Sequence, residues 1–357
     1  MQTAHKASLI LQDGSRFEGY SFGYEQPTTG EVVFNTAMNG YNESLTDPSY
    51  MGQIMVMTYP LIGNYGVPSK EVDSYGIPLY MESDHIYMRG IVISNYSEEY
   101  NHWNAVESLA DYLKAEKVAG IMGIDTRALA KHIRECGTMN AKIVFEGDNN
   151  IPYEEPIERN LVSEASIKEV ITYGQGAKRI VLVDCGAKAN IIRCLISPDT
   201  TVIRVPWDYD FHTLEYEGLF ISNGPGNPET CQITIEHIRK AYAQNKPVFG
   251  ICMGHQLMAK AAGANIYKLK YGHHGHNQPI RMLGTNRCFI TSQNHNFAID
   301  PNTLDSDWQE LYINLNDGSN EGIIHKNKPF FSTQFHPEAC GGPTDTMFIF
   351  EDFIRSL

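Results

Sequence analysis

A cysteine with a glycine two residues before it and another two residues after it stands in Gly250-Ile-Cys252-Met-Gly254-His-Gln256, between an apolar run, PVFGI, and an alanine-rich run, GHQLMAKAAG. Strand, sharp turn and helix in that order hold a nucleophile exposed on a strained backbone. Bulky side chains at the flanking positions would collide with neighbouring segments. The turn also sets the sulfur at a helix N-terminus, where partial positive charge favours the thiolate, the reactive form. The chemistry suggested is nucleophilic attack by Cys252. A thiol nucleophile needs a base and a group that orients the base. Phe335-His336-Pro337-Glu338, at the end of the run FFSTQF, offers both. His336 would move the proton, and Glu338 would fix its tautomer and stabilise its cation. Ser222-Asn-Gly224-Pro-Gly226-Asn-Pro228 follows the run GLFI. Its glycines and prolines make a rigid loop with accessible backbone N–H groups, at the strand end where α/β proteins bind ligands. One N–H from it, with the N–H after the nucleophile, would form an oxyanion hole.

Other clusters carry blander readings. His273-His274-Gly-His276 has the composition of a metal motif. Its spacing is too tight for three ligands on one regular element, so a polar turn and no metal are expected. Ser292-Gln293-Asn294-His295 is a polar run ending a strand, in the half that carries the nucleophile. The seven cysteines lie far apart with no CxxC, which argues against a disulfide scaffold and against structural zinc. Cys185, Cys194 and Cys288 are expected to be buried structural thiols. The pattern fits a reducing compartment, the cytoplasm.

The elements that must position these residues can be read from periodicity. From 178 onward, short apolar runs alternate with amphipathic ones: RIVLVDC, ANIIRCLIS, TVIRV, GLFISNG, ITIEHIRKAYAQ, PVFGIC and GHQLMAKAAG. That pattern predicts a mostly parallel sheet flanked by helices. Closely spaced strands, RCFITSQ, ELYINLN, EGIIHK and FFSTQFHP, then precede a last helix, TMFIFEDFIRSL. The first part of the chain reads as mixed α/β. A hairpin is expected around Asp13-Gly14, where glycine supplies positive φ. Strands are expected at EVVFNTAM, IMVMTY, GIVISNY and NAKIVFEG. Trp103, Val106, Leu109, Ala110 and Leu113 have the spacing of one helix face. A second helix starts at Asp125 and ends at Gly137, with Leu129, His132 or Ile133, and Cys136 on its apolar face. The organisation expected is an N-terminal domain over 1–147, a polar linker over 148–177 that includes the turn Gly174-Gln-Gly176, and the nucleophile-bearing domain over 178–357.

The chain has 357 residues, a length that suits two domains. With 28 Lys+Arg against 42 Asp+Glu, the formal charge is −14, and a phosphate-binding surface for nucleic acid is not expected. The uncharged stretch 48–69 is interrupted by prolines and glycines, so it reads as a buried strand between turns and not as a membrane span. The N-terminus has no apolar run suited to a signal peptide. No P-loop occurs, so nucleotide binding of that type is not expected on this chain.

With SNGPGNP, GICMGHQ and FHPE in place, the half from 178 resembles the class I (triad) glutamine amidotransferases. The resemblance implies glutamine hydrolysis through a γ-glutamyl thioester, with Cys252 as nucleophile, His336 as general base and acid, and Glu338 as orienting carboxylate. It implies an oxyanion hole from the N–H groups of Gly226 and Met253, in a glutamine pocket that includes Gly224 and Gln256. The N-terminal half, through GEVVFNTAMNGYNESLTDPSYMGQIMVMTYPLIGNYG and GIDTRALAKHIRECGTMNAKI, is similar to the small chains of carbamoyl-phosphate synthase, as are KYGHHGHNQP and TSQNHNFA. That similarity covers nearly the whole chain. It implies that Ser49 reaches the bound glutamine and that Asn294, Asn296 and Phe297 hold its α-amino and α-carboxylate groups. Asn296 stands where the family usually has glycine. Asparagine is the best non-glycine substitute for the left-handed backbone that glycine can supply, so glutamine binding is expected to be retained with a slightly altered pocket.

The implied partner is a large synthetase subunit docked mainly on the N-terminal domain, in a heterodimer that could assemble further. It would use bicarbonate and ATP to make carbamoyl phosphate for arginine and pyrimidine biosynthesis. No cofactor is expected on this chain; ATP, Mg2+ and, as a further candidate, K+ belong to the large subunit. The competing readings are a subunit of another synthase, such as an anthranilate or guanylate system, a catalytically inactive regulatory subunit, and a free-standing γ-glutamyl hydrolase. The extra N-terminal domain weighs against the first. The intact Cys252, His336 and Glu338 weigh against the second. The third should be fully active without a partner.

Overall fold

In the parallel strands around the Cys252 loop, alternate residues face opposite cores. Ile180, Leu182, Val202, Phe220, Phe249 and Ile251 belong to one buried cluster; Val181, Val183, Val205, Leu219, Ile221 and Val248 belong to another. A strand buried on both faces cannot alternate apolar with polar, which is why these segments read as continuous apolar runs. The structure is a computed structural model that describes residues 5–146 and 151–357. The chain divides into two units. The first holds the residues up to Asp73, Pro78–Ile157 and Lys270–His274; the second holds Ser74–Ile77, Glu158–Leu269 and Gly275–Leu357.

The first unit is built on a closed barrel. Its strands run in the order Lys6–Leu11, Met139–Phe145, Thr28–Asn35, Gln53–Met57, Gly90–Val92, Ala119–Met122 and Arg16–Ser21. The hairpin pairs Leu9 with Phe17 across a turn in which Gly14 has φ 89°. The helix Thr126–Cys136 starts where the Asp125 carboxylate accepts from the Ala128 N–H, and ends at Gly137. Its buried face is Leu129, Ala130 and Ile133. Cys136, read onto that face, is exposed, and His132 pairs with Asp13 at 2.6 Å. The helix expected from Trp103 is shorter and covers Leu109–Ala115. Ser108 caps it by accepting from the Asp111 N–H. Ahead of that cap, Ala105–Glu107 is extended and pairs with Val67–Pro68, so Trp103 and Val106 stay exposed.

The second unit is a ten-stranded sheet in the order Ile171–Gly174, Thr200–Pro206, Lys178–Asp184, Gly218–Ile221, Val248–Ile251, Phe330–Thr333, Asn320–His325, Trp308–Asn314, Asn265–Met282 and Cys288–Asp300. From Thr200–Pro206 through Phe330–Thr333 the pairing is parallel. Antiparallel strands extend it on both sides. Helices Ala189–Leu195, Gln232–Ala241, Met253–Ala261 and Phe348–Ser356 contribute apolar residues to its two cores.

Three sequence expectations change here. The segment 148–177 begins partly outside the described residues, and from Glu158 it belongs to the second unit. It carries a helix, Leu161–Ala165, and the sheet's edge strand. His273, His274 and His276 lie in the strand Asn265–Met282 and not in a turn. Backbone pairing satisfies peptide groups there, as where the Thr36 N–H donates to the His274 carbonyl. Of the three cysteines expected to be buried, Cys185 is buried, Cys194 is half-buried and Cys288 is exposed. Among the described residues, no helix is long and apolar enough to cross a membrane.

Candidate active site

Cys252 is the turn between the strand Val248–Ile251 and the helix Met253–Ala261, with φ 54° and ψ −103°. Few non-glycine residues occupy this region, because Cβ then crowds the backbone. The surrounding structure holds the turn in place: the Cys252 N–H donates to the Thr333 carbonyl at 2.9 Å, and the Gly254 N–H donates to Ser222 at 3.0 Å. The flanking glycines are sterically required. A Cβ on Gly250 would lie 2.7 Å from the Gly254 backbone, and one on Gly254 would lie 2.2 Å from the Ile221 carbonyl oxygen.

His336 follows the strand Phe330–Thr333, next to the strand that leads into Cys252, and its N–H donates to the Ser292 carbonyl at 2.9 Å. His336 Nδ1–H donates to Glu338 Oε1 at 2.7 Å. That bond leaves Nε2 as the ring nitrogen not engaged by Glu338. Nε2 has no well-formed hydrogen bond among the described residues. The Cys252 thiol lies near enough to act on the ring by charge and by a loose hydrogen bond. Burial alone pushes the His336 pKa down, but Glu338 and then Cys252 outweigh it, so the imidazolium is favoured. For Glu338, burial pushes up, while Lys188 and then His336 pull the carboxyl below the ordinary range.

Lys188 is a participant that the sequence did not reveal. Its Nζ lies 3.1 Å from Glu338 Oε1 and donates to the Ala339 carbonyl at 2.9 Å. Ala339 and Cys340 have φ 53° and 60°, so the chain directly after Glu338 sits in the left-handed region. The short DCGAK stretch at a parallel strand's C-terminal end was the available signal, but one lysine in a sequence is usually a solvated charge.

The loop 222–228 lies at the end of the neighbouring parallel strand, Gly218–Ile221. A Cβ on Gly224 would lie 2.1 Å from the Cys185 carbonyl oxygen. Gly226 has φ 85°. Met253 is the first residue of its helix, where an N–H has no intrahelical acceptor. Gln256, one turn further along, donates from Nε2 to the Phe297 carbonyl at 3.2 Å and to Gln334 Oε1 at 3.1 Å. Asn294, Asn296 and Phe297 lie in the strand Cys288–Asp300. Asn296 is not among the described non-glycine residues with positive φ. A left-handed backbone, which glycine at that position would permit, is not adopted in this strand. Ser49 lies in the first unit, in the short 3-10 helix Pro48–Tyr50, where the Asp47 carboxylate accepts its N–H at 2.8 Å.

The parallel sheet, the strained cysteine turn and the His–Glu pair define the second unit as a class I glutamine amidotransferase domain, and residues 181–356 match the family model "Glutamine amidotransferase class-I". Residues 9–143 match "Carbamoyl-phosphate synthase small chain, CPSase domain". The chain is 48% identical over 366 residues to the carbamoyl phosphate synthase arginine-specific small chain of Saccharomyces cerevisiae, covering 99% of this chain and 89% of that protein. It therefore belongs to the carbamoyl-phosphate synthase small-chain family. It is also 52% identical over 354 residues to the "Multifunctional protein CAD" of Squalus acanthias, covering 98% of this chain but 16% of that protein. Against the "Carbamoyl-phosphate synthase [ammonia], mitochondrial" of Aquarana catesbeiana it is 47% identical over 359 residues, covering 99% of this chain and 24% of that protein.

Proposed function

We propose that this chain is the glutamine-hydrolysing subunit of a carbamoyl-phosphate synthase and works through a cysteinyl thioester. The observation that carries the reading is the strained Cys252 turn facing an imidazole whose far nitrogen is committed to Glu338. In this reading the Cys252 thiolate attacks the side-chain amide carbon of glutamine. The N–H groups of Gly226 and Met253 receive the oxyanion. As the C–N bond breaks, His336 gives its proton to the leaving ammonia. His336 then takes a proton from water, which attacks the thioester and releases glutamate and the thiol. Gly224, Gln256, Asn294, Asn296 and Phe297 are proposed to shape the glutamine pocket, and Ser49 is assigned to it by resemblance.

The ammonia passes to a large synthetase subunit, which joins it with bicarbonate at the expense of ATP and holds the nucleotide and Mg2+. The first unit is the proposed main docking surface for that subunit. The separate, similarly sized arginine-specific chain of yeast favours arginine biosynthesis as the product's fate, while the similarity to the multifunctional protein CAD keeps pyrimidine biosynthesis in view. A cytoplasmic location is proposed from the sequence, whose seven cysteines are scattered with no CxxC.

The test is reconstitution with a cognate large subunit, ATP and bicarbonate. The isolated chain should show weak glutaminase activity that rises strongly in the complex. Cys252→Ser should abolish glutamine-dependent synthesis and leave ammonia-dependent synthesis intact. Unchanged glutamine-dependent synthesis by Cys252→Ser would overturn the reading.

A further inference from the structure

Gln256 sits one helical turn after the nucleophile and has a primary amide, which can present either two donors or one acceptor to a ligand. Its neighbours decide which. Both N–H directions of Nε2 are taken, one by the Phe297 carbonyl at 3.2 Å and one by Gln334 Oε1 at 3.1 Å. The Phe297 carbonyl can only accept, and it also receives His295 Nδ1–H at 2.8 Å. Flipping the Gln256 amide would turn its oxygen toward that carbonyl and toward the Gln334 oxygen, three acceptors together. Flipping Gln334 instead would set one NH2 against another. Only one arrangement avoids a like-with-like contact between the two amides and the Phe297 carbonyl; in it Gln334 Nε2 is buried with no partner among the described residues. That arrangement leaves Gln256 Oε1 as the polar atom of that side chain not committed to these bonds.

Gln334 is held in its turn. Its side chain is fully buried. Its backbone N–H donates to the Glu321 carbonyl at 2.9 Å. It lies two residues before His336, just past the strand Phe330–Thr333, so the segment that delivers the general base also delivers this amide. We infer that Gln334 is a positioning residue for glutamine recognition: it locks the Gln256 amide so that Oε1 faces the substrate as an acceptor for a substrate N–H or ammonium. The ligand chemistry selected is an amino acid with a free, protonated α-amino group. The inference rests on the glutaminase reading above.

The test uses the reconstituted complex, with glutamine and then ammonia as nitrogen source. Gln334→Met keeps the volume and removes the acceptor. Loss of one fixed hydrogen bond to the substrate should raise the glutamine KM about tenfold, with kcat changed less than about threefold and the ammonia-dependent rate unchanged. Gln334→Glu, which keeps an oxygen facing Gln256, should restore most of the affinity. In a Gln256→Ala background, Gln334→Met should add almost nothing, because the two residues act through one contact. Should Gln334→Met fail to fold, as shown by loss of its cooperative urea-unfolding transition, Gln334→Asn replaces it, since its shorter side chain cannot reach Gln256. A fall in kcat at unchanged KM, or single effects that multiply in the double variant, would overturn the inference. Cys252→Ser separates the two levels. If it abolishes glutamine use while Gln334→Met leaves KM unchanged, only the role of Gln334 falls. If it leaves glutamine use intact, the underlying reading falls first.

Discussion

Replacing Lys188 by methionine removes one end of a buried line of charge: the Lys188 ammonium, the Glu338 carboxylate and the His336 imidazole. Lys188 Nζ and Glu338 Oε1 are 3.1 Å apart, and the two side chains are 6% and 0% exposed. At an effective dielectric of 20, unit charges at that spacing attract by about 5 kcal/mol. Removing one partner of a buried pair costs about 3–5 kcal/mol, because the other charge is left uncompensated. Glu338 keeps His336, and methionine refills the lysine stem's path, so a loss of about 3 kcal/mol is expected. Two of the three tryptophans, Trp207 and Trp308, lie in the second unit, so urea unfolding followed by their fluorescence reports on it.

The pH dependence gives an independent check. Glu338 is held below its ordinary value of 4.5, against burial, by Lys188 and then His336. A carboxyl with a lowered folded pKa contributes stability that is complete above the unfolded value and is lost as pH falls through the folded one. The gap between parent and variant should therefore be full near neutrality and shrink below pH 4.5. Glutamine-dependent synthesis should fall with it, since Lys188 also ties down the Ala339 carbonyl beside Glu338. A variant as stable as the parent at neutral pH, or a gap that persists unchanged in acid, refutes the reasoning.

Two further outcomes follow from the same geometry. At Cys252 the usual order of glycine and alanine should reverse. With φ 54° and ψ −103°, Cys252→Gly relieves strain that Cys252→Ala retains, so the glycine variant should be more stable by about 1–3 kcal/mol in a denaturant titration, and both should lack glutamine use. Glu338→Gln removes the first of the charges that hold the His336 pKa up against burial. The imidazole titration, read by NMR, should move down toward or below 6.5, and glutamine-dependent turnover should drop by about 100-fold or more. By the sign of that shift, the parent's advantage over Glu338→Gln is full below pH 6.5 and fades as pH rises through the raised folded value; a constant difference across that range would contradict it.

Local sequence determined what depends on near neighbours. The strand–cysteine–helix turn, with glycines at its two crowded positions, was legible because each requirement lies within five residues. The doubly buried parallel strands were legible because burial on both faces removes polar alternation. The Asp125 cap and the Gly137 stop were legible because capping bonds are local. The polar triplet at 273–276 misled because its chain neighbours resemble a turn, whereas strand pairing comes from distant segments. The helix expected from Trp103 overreached because heptad-like spacing cannot see that Ala105–Glu107 finds a strand partner at Val67–Pro68. Only the tertiary structure places Lys188 against Glu338 and Gln334 against Gln256. Both are ordinary residues in sequence, and their roles arise from atoms brought within about 3 Å across 150 and 78 positions of chain. The sequence by itself supplied the candidate nucleophile, the candidate base and the family. The fold decided which way an amide points and which charge keeps the carboxylate ionised, because hydrogen bonds and buried charges act over ångströms of space and not along the chain.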